Sequence, residues 1–328
     1  MNIAELLITA ADLDDYQAIA NQTALVELDH LCAYRVSGDD AQSFLQGQLS
    51  NDVEKIAPSS ATFQAYCTPK GRMLAIFYLA QWQHDYIMIL PQEIAASIIQ
   101  RLSMYVMRAQ VKFELLTDTS LFGVVDPHGS VITELCANQV LEDNYQSYSN
   151  EQTLCIRLAA IPARYLVLTT ASPNLTAQSF DHVCKSNYWI YLDIINGIPS
   201  LSQAVQEAFV PQMANMELID GVSFKKGCYP GQEVVARLHY IGSSNRRMFR
   251  FSCASEHAVA AGNDIYDANS QQVVGKVVSA LKQHEYLGLA VIRIEHVKAN
   301  SLTLHGATLV IHTLPYAVPL DKPDQKKL

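Results

Sequence analysis

This sequence lacks the spacings that hold metals. None of the seven cysteines, at 32, 67, 136, 155, 184, 228 and 253, stands in a C-x-x-C pair, and the ten histidines form no H-E-x-x-H. A zinc site or iron–sulfur cluster built from local ligands is not expected, and no metal is predicted. The odd, scattered cysteine count also argues against a disulfide framework. Free thiols in a reducing compartment are expected, most of them small buried apolar residues. Long apolar runs are missing too: stretches such as Leu74-Ala75-Ile76-Phe77-Tyr78-Leu79-Ala80 are far too short to cross a bilayer. The first residues have no basic region before an apolar core, lack arginine, and carry Glu5, Asp12, Asp14 and Asp15. They read as neither secretory signal nor transit peptide, so a cytoplasmic location and no membrane contact are expected.

Charge is also sparse, at 17% of residues, against 49% hydrophobic. That balance supports large buried cores and argues against general disorder. A length of 328 residues is too great for one core of ordinary size, so two or more domains are expected. The formal net charge of −9 disfavours general polyanion binding. Residues 221–250 depart from it, with Lys225, Lys226, Arg237, Arg246, Arg247 and Arg250 against Glu233 alone. An even spread would place about two basic residues in such a window. A solvated face beside a turn is the ordinary explanation; an anion site on an acidic body is the sharper one.

The periodicities suggest how the chain is organised. After an opening helix or loose arm, strands are predicted at 24–28 and 32–36, then a helix over 41–49 with Phe44, Leu45 and Leu49 on one face. Strands over 61–67 and 72–79 flank the turn Thr68-Pro69-Lys70-Gly71. A strand at 86–90, a helix from 92 to 106 and a strand at 109–115 close the unit. A second β-α-β-β-α-β pass follows, with strands at 121–125, 153–158 and 164–170 and helices near 130–140 and 176–189. Paired ferredoxin-like units, about 20–115 and 116–200, are the natural reading of an α+β chain with this rhythm. Beyond residue 240 only short strands are predicted, at 247–253, 273–280, 286–294, 301–304 and 308–314, so residues 241–320 should form a small all-β barrel. The polar tail 321–328 is expected to be flexible.

One stretch gathers reactive groups. Lys225-Lys226-Gly227-Cys228-Tyr229-Pro230-Gly231-Gln232-Glu233 places a thiol, amines, an amide and a carboxylate between two glycines, ahead of a predicted helix over 232–238. Lys226 would favour the Cys228 thiolate if the two side chains converge. Such a grouping suits a polar small-molecule site. By spacing alone, a buried structural cysteine in a linking turn is the more common outcome.

The same stretch resembles the K-G-C-Y-x-G-Q-E signature of the YgfZ-type folate-binding proteins, which are similar to the T-protein of the glycine cleavage system. The resemblance continues in order through Phe44–Val53, Thr68–Arg72, Tyr105-Val106-Met107-Arg108, Gly197-Ile198-Pro199 and Phe209–Asn215. It implies an aminomethyltransferase-like, folate-binding region over 1–240, with residues 201–240 as the signature segment, followed by the barrel. It also implies tetrahydrofolate as ligand and a role in assembling or maintaining iron–sulfur enzymes, including those that thiolate tRNA. Cys228 would then be the functional thiol, with Lys226, Tyr229, Gln232 and Glu233 around it.

Trp189 would be an aromatic wall for the pterin, since a flat conjugated ring stacks on an indole; a core tryptophan at a helix end is the alternative. Arg108 could pair with the folate carboxylates, or with a surface acid. Asn51 and Asp52 could hydrogen-bond the pterin edge, although Asn-Asp after a helix is also common turn chemistry. Three positions depart from relatives: Ile195 stands where many carry a glutamate, Leu31 where some carry a tryptophan, and Leu74-Ala75 where true aminomethyltransferases carry aspartates. Without a carboxylate at 74 or 75, aminomethyl transfer is not expected. A monomer is expected, with folate and iron–sulfur client enzymes as partners. Direct tRNA binding through residues 225–250 ranks lower, for want of an RNA-binding motif.

Overall fold

The computed structural model describes residues 3–171, 175, 177–297 and 301–320. The chain starts with the one-turn helix α1 (Ile3–Leu7) and strand β1 (Ala24–Glu27). A first sheet follows from β2 (Leu31–Ser37), helix α2 (Ala41–Gln46), β3 (Ala61–Cys67), β4 (Met73–Trp82), β5 (Asp85–Pro91), helix α3 (Gln92–Ser103) and β6 (Lys112–Leu115). Its strand order is β3-β4-β5-β2-β6, antiparallel throughout. Next come β7 (Ser120–Val125), helix α4 (Ser130–Leu135), β8 (Ser147–Ser149), β9 (Thr153–Arg157), β10 (Arg164–Thr169), β11 (His182–Cys184) and helix α5 (Ser186–Asn196). The second sheet runs β11-β1-β7-β10-β9-β8.

Strand alternation explains the layering. Tyr66, Leu79, Met88 and Leu90 of the first sheet pack with Leu45 of α2 and Ile94, Ile98 and Leu102 of α3. From the opposite face Phe63, Ala65, Ile76 and Ile87 join Val26, Ile156, Leu166 and Leu168 of the second sheet in one shared core. The outer face of the second sheet, with Phe122, Val124 and Val167, is covered by Ile3 and Leu6 of α1 and Val131 and Ile132 of α4. Two sheets therefore pack face to face with helices outside each, the α+β arrangement predicted.

Two details differ from the sequence expectation. Strand β1 leaves the first unit and pairs with β7 and, in parallel, with β11, so 20–115 is not self-contained. The helix expected near 176–189 is replaced by β11 and by α5, which starts ten residues later, at Ser186, and runs to Asn196. Pairing of Ala24–Val26 with His182–Cys184 holds the segment extended, and α5 stops at Gly197 with φ 64°.

After helix α6 (Gln232–Tyr240) the chain builds β12 (Arg246–Cys253), β13 (Asp264–Asp267), β14 (Val273–Lys282), β15 (Tyr286–Arg293), the one-turn helix α7 (Ile294–Val297), β16 (Leu302–Leu304) and β17 (Ala307–His312). The six strands close into a barrel. Phe251, Ile265, Val277, Ile292 and Leu304 fill its interior. Strand β13 escaped the periodicity because its alternation, Asp-Ile-Tyr-Asp, is only four residues long. The predicted flexible tail at 321–328 lies outside the described residues.

Candidate functional site

The signature turn is held by backbone contact with another turn far away in sequence. Gly231 adopts φ 85° at the start of α6, and a Cβ there would lie 2.5 Å from the Thr68 carbonyl oxygen and 2.6 Å from the Gly71 Cα. Gly71 itself has φ 72° and would meet Val234 of α6. The motifs Thr68–Arg72 and Gly227–Gly231 are thus two halves of one joint, closed by the absence of two side chains. Gln232 ties the turn inward by donating to the carbonyls of Lys226 and Gly227, each at 3.4 Å.

Within this turn Lys226 and Cys228 face different ways. Lys226 is buried, and its Nζ donates to the carbonyl oxygens of Gln46 at 2.7 Å, Leu49 at 2.6 Å and Asn51 at 3.0 Å. These carbonyls end α2 and the turn after it, where helix geometry leaves acceptors without partners and negative dipole charge accumulates. Burial pulls the Lys226 ammonium down to about 8, against the opposing charges of Asp52 and Glu54. The Tyr229 ring lies 5.3 Å from the same nitrogen and is itself buried, with its phenol pushed up first by burial and then by Cys67. Cys228 is exposed instead. The condition that the amine and thiol converge is not met: all three Lys226 hydrogen bonds go to carbonyls. Glu233 is exposed in the first turn of α6, where the helix dipole favours an acid.

Asn51 and Asp52 sit beside this lysine. Asn51 spends its amide on the carbonyls of Phe63 (3.2 Å) and Asp220 (2.5 Å), and its side-chain oxygen accepts from the Asp52 N–H. Asp52 accepts from Gln46 Nε2 at 2.9 Å and pairs with Lys55 at 3.1 Å. Burial raises its pKa, but the hydrogen bonds from Gln46 and Lys55 and the charges of Lys55 and Lys226 outweigh it, leaving the carboxyl below its ordinary value. Both residues therefore brace the loop, as the turn-chemistry alternative has it.

A second constellation, not foreseen in the sequence, lies where the two sheets meet. Arg164 on β10 is fully buried; it donates to the Trp189 carbonyl at 3.2 Å and pairs with Asp193 of α5. Its guanidinium stands 4.5 Å over the Trp189 ring. Trp189 is 1% exposed, with its ring against the backbone at Gly123, where a Cβ would come within 2.5 Å. The indole is thus a core residue under an arginine, the alternative to an aromatic wall for the pterin. Asp193 keeps 19% of its side chain accessible. His30, Tyr78 and Tyr145 lie in the same electrostatic neighbourhood: Asp193 and Arg164 both act on His30 and Tyr78, and Arg164 acts on Tyr145. Burial is the largest influence on all three, lowering His30 and raising both tyrosines. The buried Nδ1 of His30 and Nε of Arg164 have no hydrogen-bond partner, an uncommon state for buried nitrogens. Only the 29-residue separation of Arg164 and Asp193 hid the pair from sequence reading.

Arg108 stands apart from both groups, exposed on the turn after α3 with no ion-pair partner among the described residues. Leu74 and Ala75 are buried on β4 against the α2 and α3 helices. Ile195 and Leu31 are half-buried and pack on the central core. Among the described residues no group of three or more His, Cys, Asp or Glu side chains could hold a metal ion, and no helix is long and apolar enough to cross a membrane.

The fold and the motifs have counterparts among known proteins. Residues 6–167 match the GCVT N-terminal domain family, and residues 245–319 match the C-terminal β-barrel domain of CAF17. The tRNA-modifying protein YgfZ of Photobacterium profundum is 30% identical over 239 residues, 69% of each chain. The chain belongs to the YgfZ family. A second member, the tRNA-modifying protein YgfZ of Sodalis glossinidius, is 26% identical over 305 residues, 90% of this chain and 93% of its own. Among solved structures, the glycine cleavage system aminomethyltransferase T of Bartonella henselae aligns with TM-score 0.68 at 12% identity, covering 95% of this chain and 89% of its own. At that identity the likeness establishes the fold, an aminomethyltransferase-like body with a closed barrel behind it.

Burial sorts the thiols of this YgfZ-family chain. Cys67 and Cys184 are pushed up to about 12 and Cys32 to about 11, each chiefly by burial, and Cys136, Cys155 and Cys253 are buried as well. Because the thiolate is the reactive form, brief iodoacetamide treatment of the native protein should alkylate Cys228 first. Mass spectrometry should find one fast adduct in the wild type and none in Cys228→Ala.

Proposed function

We propose that this protein binds a reduced folate at the junction of its two sheets and serves, through the exposed Cys228, as an accessory to iron–sulfur enzymes, including those that thiolate tRNA. The observation that carries the folate reading is the Arg164–Asp193 pair, with buried nitrogens on Arg164 and His30 that lack a hydrogen-bond partner. A pterin carries an aminopyrimidine edge whose adjacent N–H groups suit a carboxylate, and Asp193 offers one on α5 although Ile195 does not. Tyr78 and Tyr145 add aromatic surface and, through their hydroxyls, polar tips. The residue set fits the ligand chemically. Relatives that carry the name tRNA-modifying protein support placing the role in tRNA modification.

Aminomethyl transfer remains the weaker reading, because the buried Leu74 and Ala75 bring no carboxylate to handle protons. Titration calorimetry with tetrahydrofolate tests the folate reading. Wild type should bind, and Asp193→Asn, which keeps shape and a neutral bond to Arg164, should weaken binding about tenfold or more, as loss of a charge-assisted hydrogen bond does. No heat of binding to the wild type would overturn it. The thiol's role is tested separately: Cys228→Ala should fail to restore thiolated tRNA in a deletion strain, and full restoration would remove Cys228 from the mechanism.

A further inference from the structure

The basic cluster at 221–250 does not survive folding as one patch. Lys226 is consumed by three carbonyls, and Arg247 turns inward to Glu217 and to the Gln212 carbonyl at 2.7 Å. A different cationic group forms in its place from three distant segments. Arg246 opens β12 and Arg293 ends β15, and the two are direct cross-strand partners in the antiparallel ladder. Arg72 comes from the Thr68–Arg72 turn; one of its guanidinium nitrogens donates to the Ala208 carbonyl at 2.7 Å. The segment that follows Ala208 packs on β12, which brings the third arginine to the first two.

All three are half-buried. Among the described residues no acid pairs with any of them, and neither Arg246 nor Arg293 makes a side-chain hydrogen bond. Like charges directly opposite each other in a ladder destabilise it. The chain carries 32 acidic residues against 23 basic ones, yet none among the described residues forms an ion pair with these three. Burial, then the charges of Arg293 and Arg72, pull the Arg246 guanidinium below its ordinary value. Uncompensated guanidinium groups that converge in this way make a site for an oxyanion, since each presents a planar fork of donors matched to phosphate oxygens.

We propose that Arg72, Arg246 and Arg293 form a phosphate-binding site at the joint between the two-sheet body and the barrel. The phosphate belongs to a small phosphorylated molecule or to an RNA backbone, two sources that the experiment separates. The site owes nothing to the folate reading. Gly71, the neighbour of Arg72, lies against Gly231, so an occupant would sit close to the signature turn that carries Cys228.

Calorimetric titration of the full chain with inorganic phosphate, in chloride buffer of matched ionic strength, measures the site directly. Wild type should bind, and Arg293→Gln and Arg246→Gln should each weaken binding about tenfold or more. Thermal unfolding in chloride alone gives a second readout: Arg293→Gln removes the opposed charge and should unfold at or above the wild-type midpoint, whereas a purely structural arginine would lower it. If phosphate binds wild type and Arg293→Gln equally, or does not bind at all, the site is refuted. Fluorescence anisotropy with a short single-stranded RNA then names the source. RNA binding that falls with salt, competes with phosphate and is lost in Arg293→Gln assigns the backbone of RNA. Phosphate binding without RNA binding assigns a small phosphorylated ligand and equally supports the site. RNA binding that Arg293→Gln leaves intact refutes the RNA source.

Discussion

Replacing Gly231 by alanine should destabilise the protein by roughly 3 kcal/mol, while the same change at Gly227, four residues earlier, should be close to neutral. Gly231 combines two costs. Its φ of 85° is unfavourable for any residue with a Cβ, and the added atom would lie 2.5 to 2.7 Å from the backbone of Thr68 and Gly71, which cannot rotate away. Gly227 has open space around it and no positive φ. Urea unfolding of both variants checks the contrast, with circular dichroism for the helices and tryptophan fluorescence for the core. Equal effects would mean that the Thr68–Gly71 joint is not what holds the signature turn. Because Cys228 lies inside that turn, Gly231→Ala should also scatter its alkylation rate, and Gly227→Ala should not.

Lys226→Met should be of similar size, about 3 kcal/mol, since it strips the carbonyls of Gln46, Leu49 and Asn51 of a shared donor. Its pH signature is the sharper test. The folded ammonium titrates near 8, below its ordinary value of 10.5, so between those values the unfolded chain binds more protons than the folded one. Stability contributed by this group therefore rises with pH from about 8 to about 10.5, and below 8 the full cost of burying the charge is present. Urea unfolding at several pH values in that window should show wild type gaining on Lys226→Met as pH rises. A constant difference would place the titration elsewhere. Cys228 alkylation should keep its pH profile in Lys226→Met provided the fold is retained, because the amine is bonded to three carbonyls and the thiol is exposed.

Much of the architecture is legible in local pattern. Strand alternation at 61–67 and 73–82, the amphipathic spacing of Ile94, Ile98 and Leu102, and the helix-free run of short strands after 240 each follow from side chains that must bury one face. Where the pattern misled, a distant partner overruled it. The stretch before Ser186 became β11 because β1 offers it an edge, and the parallel pair cannot be inferred from either strand alone. Motif order also says nothing of contact: Thr68–Arg72 and Gly227–Gly231 are about 160 residues apart, and only the close approach of two glycines shows that they are one structure.

By itself the sequence determined the class of fold, the family and the position of the signature turn, because these depend on periodicity and on an uninterrupted string of residues. It could not determine which way each side chain faces. Lys226 and Cys228 are two residues apart, yet one is buried on three carbonyls and the other exposed to water. Trp189 is drawn into the core by Gly123 and Arg164, and Arg246 meets Arg293 across a barrel ladder. Those outcomes rest on contacts between segments far apart in the chain, whose energies exist only once the sheets and barrel have closed.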